Sequence, residues 1–104
     1  MRILWKIRED KKQMDRRKAV IFDMDGTLAD CTHRLHHVRS QKKDWDKFFQ
    51  GAGDDEPREE IVRLARELSV NNAILIASGR PESLRATTIK WLNQFNVPHE
   101  KIDL

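Results

Sequence analysis

Tyrosine is absent from this chain of 104 residues, and cysteine occurs once, as Cys31. A lone cysteine forms no internal disulfide and no cysteine-rich zinc site, so burial of apolar groups must hold the fold by itself. Glycine (4) and proline (3) are few, and no internal repeat or low-complexity tract interrupts the pattern. No apolar stretch approaches the roughly 18 residues that would read as a membrane span. Met1 opens a charged segment without the apolar run of a secretory signal. These absences leave a soluble protein, expected in the cytoplasm. At about 100 to 200 residues per domain, the chain makes one small domain.

The formal net charge is +3, but its location matters more than its sum. Residues 1 to 18 hold eight Lys or Arg against three acids, whereas residues 19 to 104 hold twelve basic and fourteen acidic side chains. A basic arm over residues 1–17 is one reading, able to contact a phosphate backbone by displacing counterions. A solvated leader or linker is the commoner fate of such a run.

Beyond the arm, Lys18-Ala19-Val20-Ile21-Phe22 is a short apolar run that reads as a fully buried strand, ending in the turn Asp23-Met24-Asp25-Gly26-Thr27. Trp45, Phe48 and Phe49 fit one face of a short helix capped by Asp44. Pro57 suits the first turn of a second helix, whose stripe is Ile61, Leu64, Ala65 and Leu68. Ala73 to Ala77 forms another strand, and Pro81 opens a helix with Leu84, Trp91, Leu92 and Phe95 on its apolar face. Ile102-Asp103-Leu104 starts a third strand. Strand, excursion, helix, strand and helix in that order call for an α/β, Rossmann-like parallel sheet with flanking helices.

Asp23 and Asp25 stand at the carboxyl end of the first strand, where open α/β sheets bind ligands. Residues i and i+2 of an extended chain share a side, and Gly26 permits the sharp turn. A hard cation such as Mg²⁺ would relieve the repulsion between the two carboxylates. One carboxylate can attack phosphorus while the other donates and later accepts a proton. A turn with a helix cap is the bland alternative for an isolated acid pair. Ser78 followed by Gly79 at a helix start is an anion site on physical grounds, since free amides and the helix dipole favour phosphate.

The residues around these positions decide between the readings. Ala19 to Leu28 resembles the first signature of the haloacid dehalogenase superfamily of phosphohydrolases, and Ile74 to Arg80 resembles the second. Lys18 to Asp30, His33-Arg34-Leu35-His36, Lys43 to Phe49 and Ser78 to Glu82, followed by Arg85, Thr88, Trp91 and Leu92, are most similar to the phosphatase domain of phage-type polynucleotide kinase-phosphatase. The resemblance spans about residues 18–104. It implies that Asp23 is the nucleophile and Asp25 the general acid and base. It places Thr27, Ser78 and Gly79 around the transferring phosphoryl group, and Mg²⁺ on the Asp23 carboxylate and the Asp25 backbone carbonyl. Arg80 and Arg85 are candidate phosphate or substrate contacts, with a solvated helix position as the alternative for each.

The superfamily's third signature, a basic residue, and its fourth, an acidic pair, cannot be placed, so residues 18–104 read as the amino-terminal part of such a domain. Residues 31–56 fall where the superfamily often inserts a small cap. Their histidines lack further zinc ligands and read as surface or hydrogen-bonding groups. Trp45, Phe48 and Phe49 either pack the short helix onto the core or stack on a nucleobase. Cys31 reads as a bystander. The expected activity is Mg²⁺-dependent phosphomonoester hydrolysis through an aspartyl-phosphate, with a nucleic-acid 3′ end as the leading substrate. The alternatives are a small-metabolite phosphatase of the same superfamily and an inactive fragment that binds phosphate or nucleic acid. A sheet of two or three strands also leaves an open edge through which copies could associate.

Overall fold

The computed structural model describes residues 18–104, so the basic arm over residues 1–17 lies outside the described part. Three strands form a parallel sheet in the order β1 (Ala19–Phe22), β4 (Ala73–Ala77), β5 (Lys101–Asp103). Ala19 to Phe22 lie opposite Ala73 to Ile76, and Leu75 to Ala77 opposite Lys101 to Asp103. This is the α/β, Rossmann-like arrangement that two apolar runs separated by a helix call for. The second run folds as a strand over the five residues Ala73 to Ala77.

Between the first two sheet strands the chain makes an excursion. A two-stranded antiparallel ribbon pairs β2 (Ala29–Asp30) with β3 (Glu56–Pro57). It closes a segment containing the short helices α1 (His36–Arg39) and α2 (Trp45–Gln50) and two 3-10 turns. Asp44 caps α2 as expected, its carboxylate accepting from the Lys47 amide at 3.1 Å. Helix α3 (Glu59–Leu68) and helix α4 (Arg85–Gln94) then precede β4 and β5. Among the described residues no helix is long and apolar enough to cross a membrane.

The structure corrects three local expectations. Pro57 does not open α3 but belongs to β3, opposite Ala29, and Arg58 is the helix N-cap. The Arg58 amide donates to the Leu28 carbonyl at 2.8 Å, so pairing with the first motif's turn claims these residues before the helix starts. Within α3, Val62 and Ala65 are fully buried, whereas Leu64 is 43% exposed. The helix is thus rotated so that Ile61, Val62, Ala65 and Leu68 form its inner face.

The third correction concerns β1, which is not buried on both sides. Val20 and Phe22 face the core, but Ile21 is 65% exposed. The core joins Phe22, Ile74 and Ile76 of the sheet to Val62, Ala65, Trp91 and Leu92 of the helices. Alternate residues of the strands face this cluster, so the sheet is covered on one side, and β1 is an edge strand within the described residues.

Candidate functional site

The site is built where β1 and β4 end side by side. Met24, immediately after β1, is fully buried, which pins the turn to the core between its two acids. Gly26 adopts φ of 81°, a left-handed conformation that costs a side-chain-bearing residue steric strain. Its amide donates to the Ala29 carbonyl at 2.8 Å, and the Ala29 amide returns to Met24 at 2.9 Å. The motif therefore folds back on itself and runs directly into β2.

Asp23 is exposed, and one carboxylate oxygen accepts from the Met24 amide at 2.8 Å. Asp25 is half-buried and occupied by two arginines. Arg34 Nη2 reaches its Oδ1 at 2.6 Å and Arg80 Nη2 reaches the same oxygen at 2.8 Å. Both guanidinium groups are themselves buried and share a second carboxylate, Asp55. Arg34 donates to Asp55 through Nε at 2.8 Å and Nη2 at 2.5 Å, and Arg80 Nη2 lies 3.5 Å from it. His33 Nε2 bonds Asp55 at 2.7 Å, Arg80 Nη1 donates to Thr88 at 2.9 Å, and Trp91 Nε1 donates to the Asp55 carbonyl at 2.8 Å. Two carboxylates and two guanidinium groups thus alternate beneath the turn. No buried side-chain polar atom among the described residues lacks a partner.

Burial opposes the charge on Asp25, but the hydrogen bond and charge of Arg80, then the charge and hydrogen bond of Arg34, outweigh it. Its carboxyl is held below the ordinary carboxylate value, so Asp25 is ionised at neutral pH. A folded-state pKa below the unfolded one stabilises the fold above the ordinary value of about 3.9. That contribution is lost as pH falls from there through the folded value. In urea titrations with chelator present, Asp25→Asn is expected to flatten the decline of stability below about pH 4. An unchanged slope would show that Asp25 is not linked to folding.

The other expected site residues separate into two groups. Ser78 stands at the end of β4, with its hydroxyl accepting from the Arg80 amide at 3.2 Å and its own amide donating to the Asp103 carbonyl at 2.9 Å. Gly79 is exposed, with open space where a Cβ would stand. Thr27 lies in the turn, its amide donating to the Met24 carbonyl at 3.2 Å. Arg80 is 2% exposed and committed to Asp25 and Thr88. Arg85 pairs with Glu82 at 2.5 and 3.0 Å and donates to the Ile102 carbonyl at 3.1 Å. Arg80 therefore joins the two motifs, while Arg85 is tied to β5.

Arg34, Asp55 and Thr88 escaped the reading of the sequence as members of this network. Arg34 and Asp55 are 21 positions apart, and charged residues are seldom buried unless paired. The available signal was the position of Arg34 within His33-Arg34-Leu35-His36, one of the stretches that carry the family resemblance. Cys31 is buried, and burial together with the Asp25 charge pushes its thiol pKa up, which keeps it protonated and weakly nucleophilic.

The donors that could hold a metal are the exposed Asp23 carboxylate and the Asp25 backbone carbonyl. Both are hard oxygens, the kind Mg²⁺ accepts, and Mg²⁺ commonly binds through one or two carboxylates with waters and substrate phosphate completing its shell. Among the described residues no group of three or more His, Cys, Asp or Glu is placed to hold an ion. These two oxygens alone would leave most of an Mg²⁺ shell to waters and substrate phosphate.

An Asp-x-Asp-Gly-Thr turn at the end of one parallel strand, joined through Arg80 to a Ser-Gly-Arg turn at the end of its neighbour, defines a phosphatase of the haloacid dehalogenase type. The family model for the phosphatase domain of polynucleotide kinase PNKP matches residues 17–103, and the chain belongs to that family. Searches of curated proteins and of solved structures return no match.

Proposed function

We propose that the chain carries out Mg²⁺-dependent hydrolysis of a phosphomonoester through an aspartyl-phosphate, with a nucleic-acid 3′ end as substrate. The observation that carries this reading is the Arg80–Asp25 bond, which brings the ends of β1 and β4 to one place although they lie 55 residues apart. Phosphatase activity follows from the family; the geometry supports the acid pair as the place of the chemistry, and the aspartyl-phosphate, the cation and the 3′ end are what the family resemblance implies.

Asp23 is the nucleophile. It is the exposed carboxylate of the pair, and one of its oxygens is oriented by the Met24 amide. Its attack on phosphorus forms the acyl phosphate and breaks the bond to the leaving oxygen. Asp25 supplies the proton to that oxygen and later takes one from the attacking water. In the free chain the two arginines keep Asp25 as a carboxylate, ready for the second role. A phosphoryl dianion arriving beside it adds negative charge and raises its proton affinity, which prepares the first. Ser78, Gly79 and Thr27 bound the volume that receives the phosphoryl oxygens; with the Ser78 and Thr27 amides bonded within the fold, the Gly79 amide and the two hydroxyls are the donors left to stabilise them. Mg²⁺, held by Asp23 and the Asp25 carbonyl, would neutralise phosphoryl charge.

The test is phosphate release by the 104-residue chain from a 3′-phosphorylated oligonucleotide and from an aryl phosphate, each with Mg²⁺ or chelator. Metal-dependent release is expected, with the oligonucleotide preferred. Asp23→Asn is expected to lower it by about 10³-fold or more, the scale on which loss of a nucleophile acts. Equal release by Asp23→Asn would overturn the assignment. Equal turnover of both substrates would favour a small-metabolite phosphatase.

A further inference from the structure

Trp45 is an anomaly on this surface. The residue is 51% exposed, although the neighbouring Phe48 of the same six-residue helix α2 is 5% exposed and already fixes that helix to the domain. The ring is nonetheless held in place. Phe49 lies nearly parallel to it, with centroids 5.9 Å apart and planes at 27°, and Phe48 meets it edge-on at 5.7 Å. Trp45 is thus exposed while its ring is in contact with two neighbouring rings.

The surroundings of Trp45 are basic. Arg39, Lys42, Lys43 and Lys47 are all exposed, against Asp44 and Asp46. Asp44 already uses its carboxylate to cap α2. Partial burial, with the neighbouring charges of His36 and Lys47, holds His37 below the usual imidazole range despite the opposing pull of Asp44. The local balance is positive, opposite in sign to that of residues 19 to 104 as a whole.

Helix α2 is also wired to the acid pair. Arg34 donates to the Phe48 carbonyl at 3.0 Å and stands 4.3 Å over the Phe48 ring, while the same guanidinium grips Asp25. A single side chain separates the aromatic helix from the candidate general acid.

We propose that Trp45, with Lys42, Lys43 and Lys47, forms a docking surface for single-stranded polynucleotide, Trp45 stacking on a base and the lysines neutralising backbone phosphates. The surface deepens the phosphatase reading and rests on it for the choice of substrate. An exposed π-face accepts any base, and cations beside it follow the backbone, so this combination suits a strand without sequence preference. An acidic protein would satisfy the lysines but would not account for an exposed tryptophan stacked on a second ring.

The test uses the full chain and a single-stranded oligonucleotide ending in a 3′-hydroxyl, so that no terminal phosphoryl group contributes. One nucleotide near the 3′ end is 2-aminopurine, whose emission is quenched on stacking. Trp45→Ala is expected to weaken binding roughly tenfold or more and to abolish the change in emission. The triple change Lys42→Ala, Lys43→Ala and Lys47→Ala is expected to retain that change while lowering the slope of log K against log salt by about 2. Circular dichroism confirms that each variant is folded. Unaltered affinity and emission in Trp45→Ala, or no binding by the unchanged chain, would overturn the docking surface. Release of phosphate from an aryl phosphate by the unchanged chain separates that failure from failure of the phosphatase reading.

Discussion

Asp55→Ala is expected to destabilise the domain by about 3–5 kcal/mol, the usual result of removing one partner from a buried ion pair. Asp55 is 2% exposed and accepts from both Arg34 Nε and Nη2. With its carboxylate gone, Arg34 and Arg80 remain buried with Asp25 as their shared counter-ion. One negative charge then faces two positive ones in a poorly hydrated place, and desolvation is no longer repaid. Urea unfolding at neutral pH reads the loss as a lower midpoint with little change in slope. Asp54→Ala, at the exposed neighbouring position, provides the control and should change stability by less than about 0.5 kcal/mol. A comparable, small effect at both positions would mean that the network is not a structural unit.

Trp91→Ala is expected to cost a similar amount, about 3–5 kcal/mol, by a different route. Trp91 is 1% exposed and packs with Phe95 at a ring separation of 4.8 Å, so truncation opens a cavity in the core. It also removes the indole donor to the Asp55 carbonyl. Trp91→Phe separates these contributions, since it retains most of the packing and loses the hydrogen bond, which costs about 1–3 kcal/mol if the carbonyl stays unsatisfied. Because the same residue supports the loop that presents Asp55, Trp91→Phe and Asp55→Ala should be less than additive in urea unfolding. Strict additivity would show that the indole acts only through the core.

What the sequence revealed, and what it concealed, follows from the range of the interactions involved. Ala73 to Ala77 was legible because five successive apolar residues can satisfy themselves only as a strand or a buried helix, and flanking Asn72 and Ser78 settle the choice. The Asp44 cap was legible for the same reason, since its partner, Lys47, is three residues away. The unbroken apolar run of β1 predicted cover on both faces, yet Ile21 is exposed, because cover depends on which elements pack against the sheet. In α3 the choice between Leu64 and Val62 turned on helix rotation, which Arg58 and the β2–β3 ribbon set. Asp23, Asp25 and Ser78 were singled out through the motifs that contain them. The Arg34–Asp55 pair was hidden, since each residue has the composition of an ordinary surface position and only the tertiary fold joins them.

The bond from Arg80 to Asp25 closes a loop of 55 residues. Loops of that length close late, because the entropy of bringing distant segments together must be met before their contacts give anything back. The candidate site thus cannot precede the sheet: it comes into being when β4 docks on β1. An anion that binds only the assembled site would slow escape from the folded state and raise the unfolding midpoint in proportion to the logarithm of its concentration. In this domain, ligand occupancy and chain integrity are therefore read by the same thermometer.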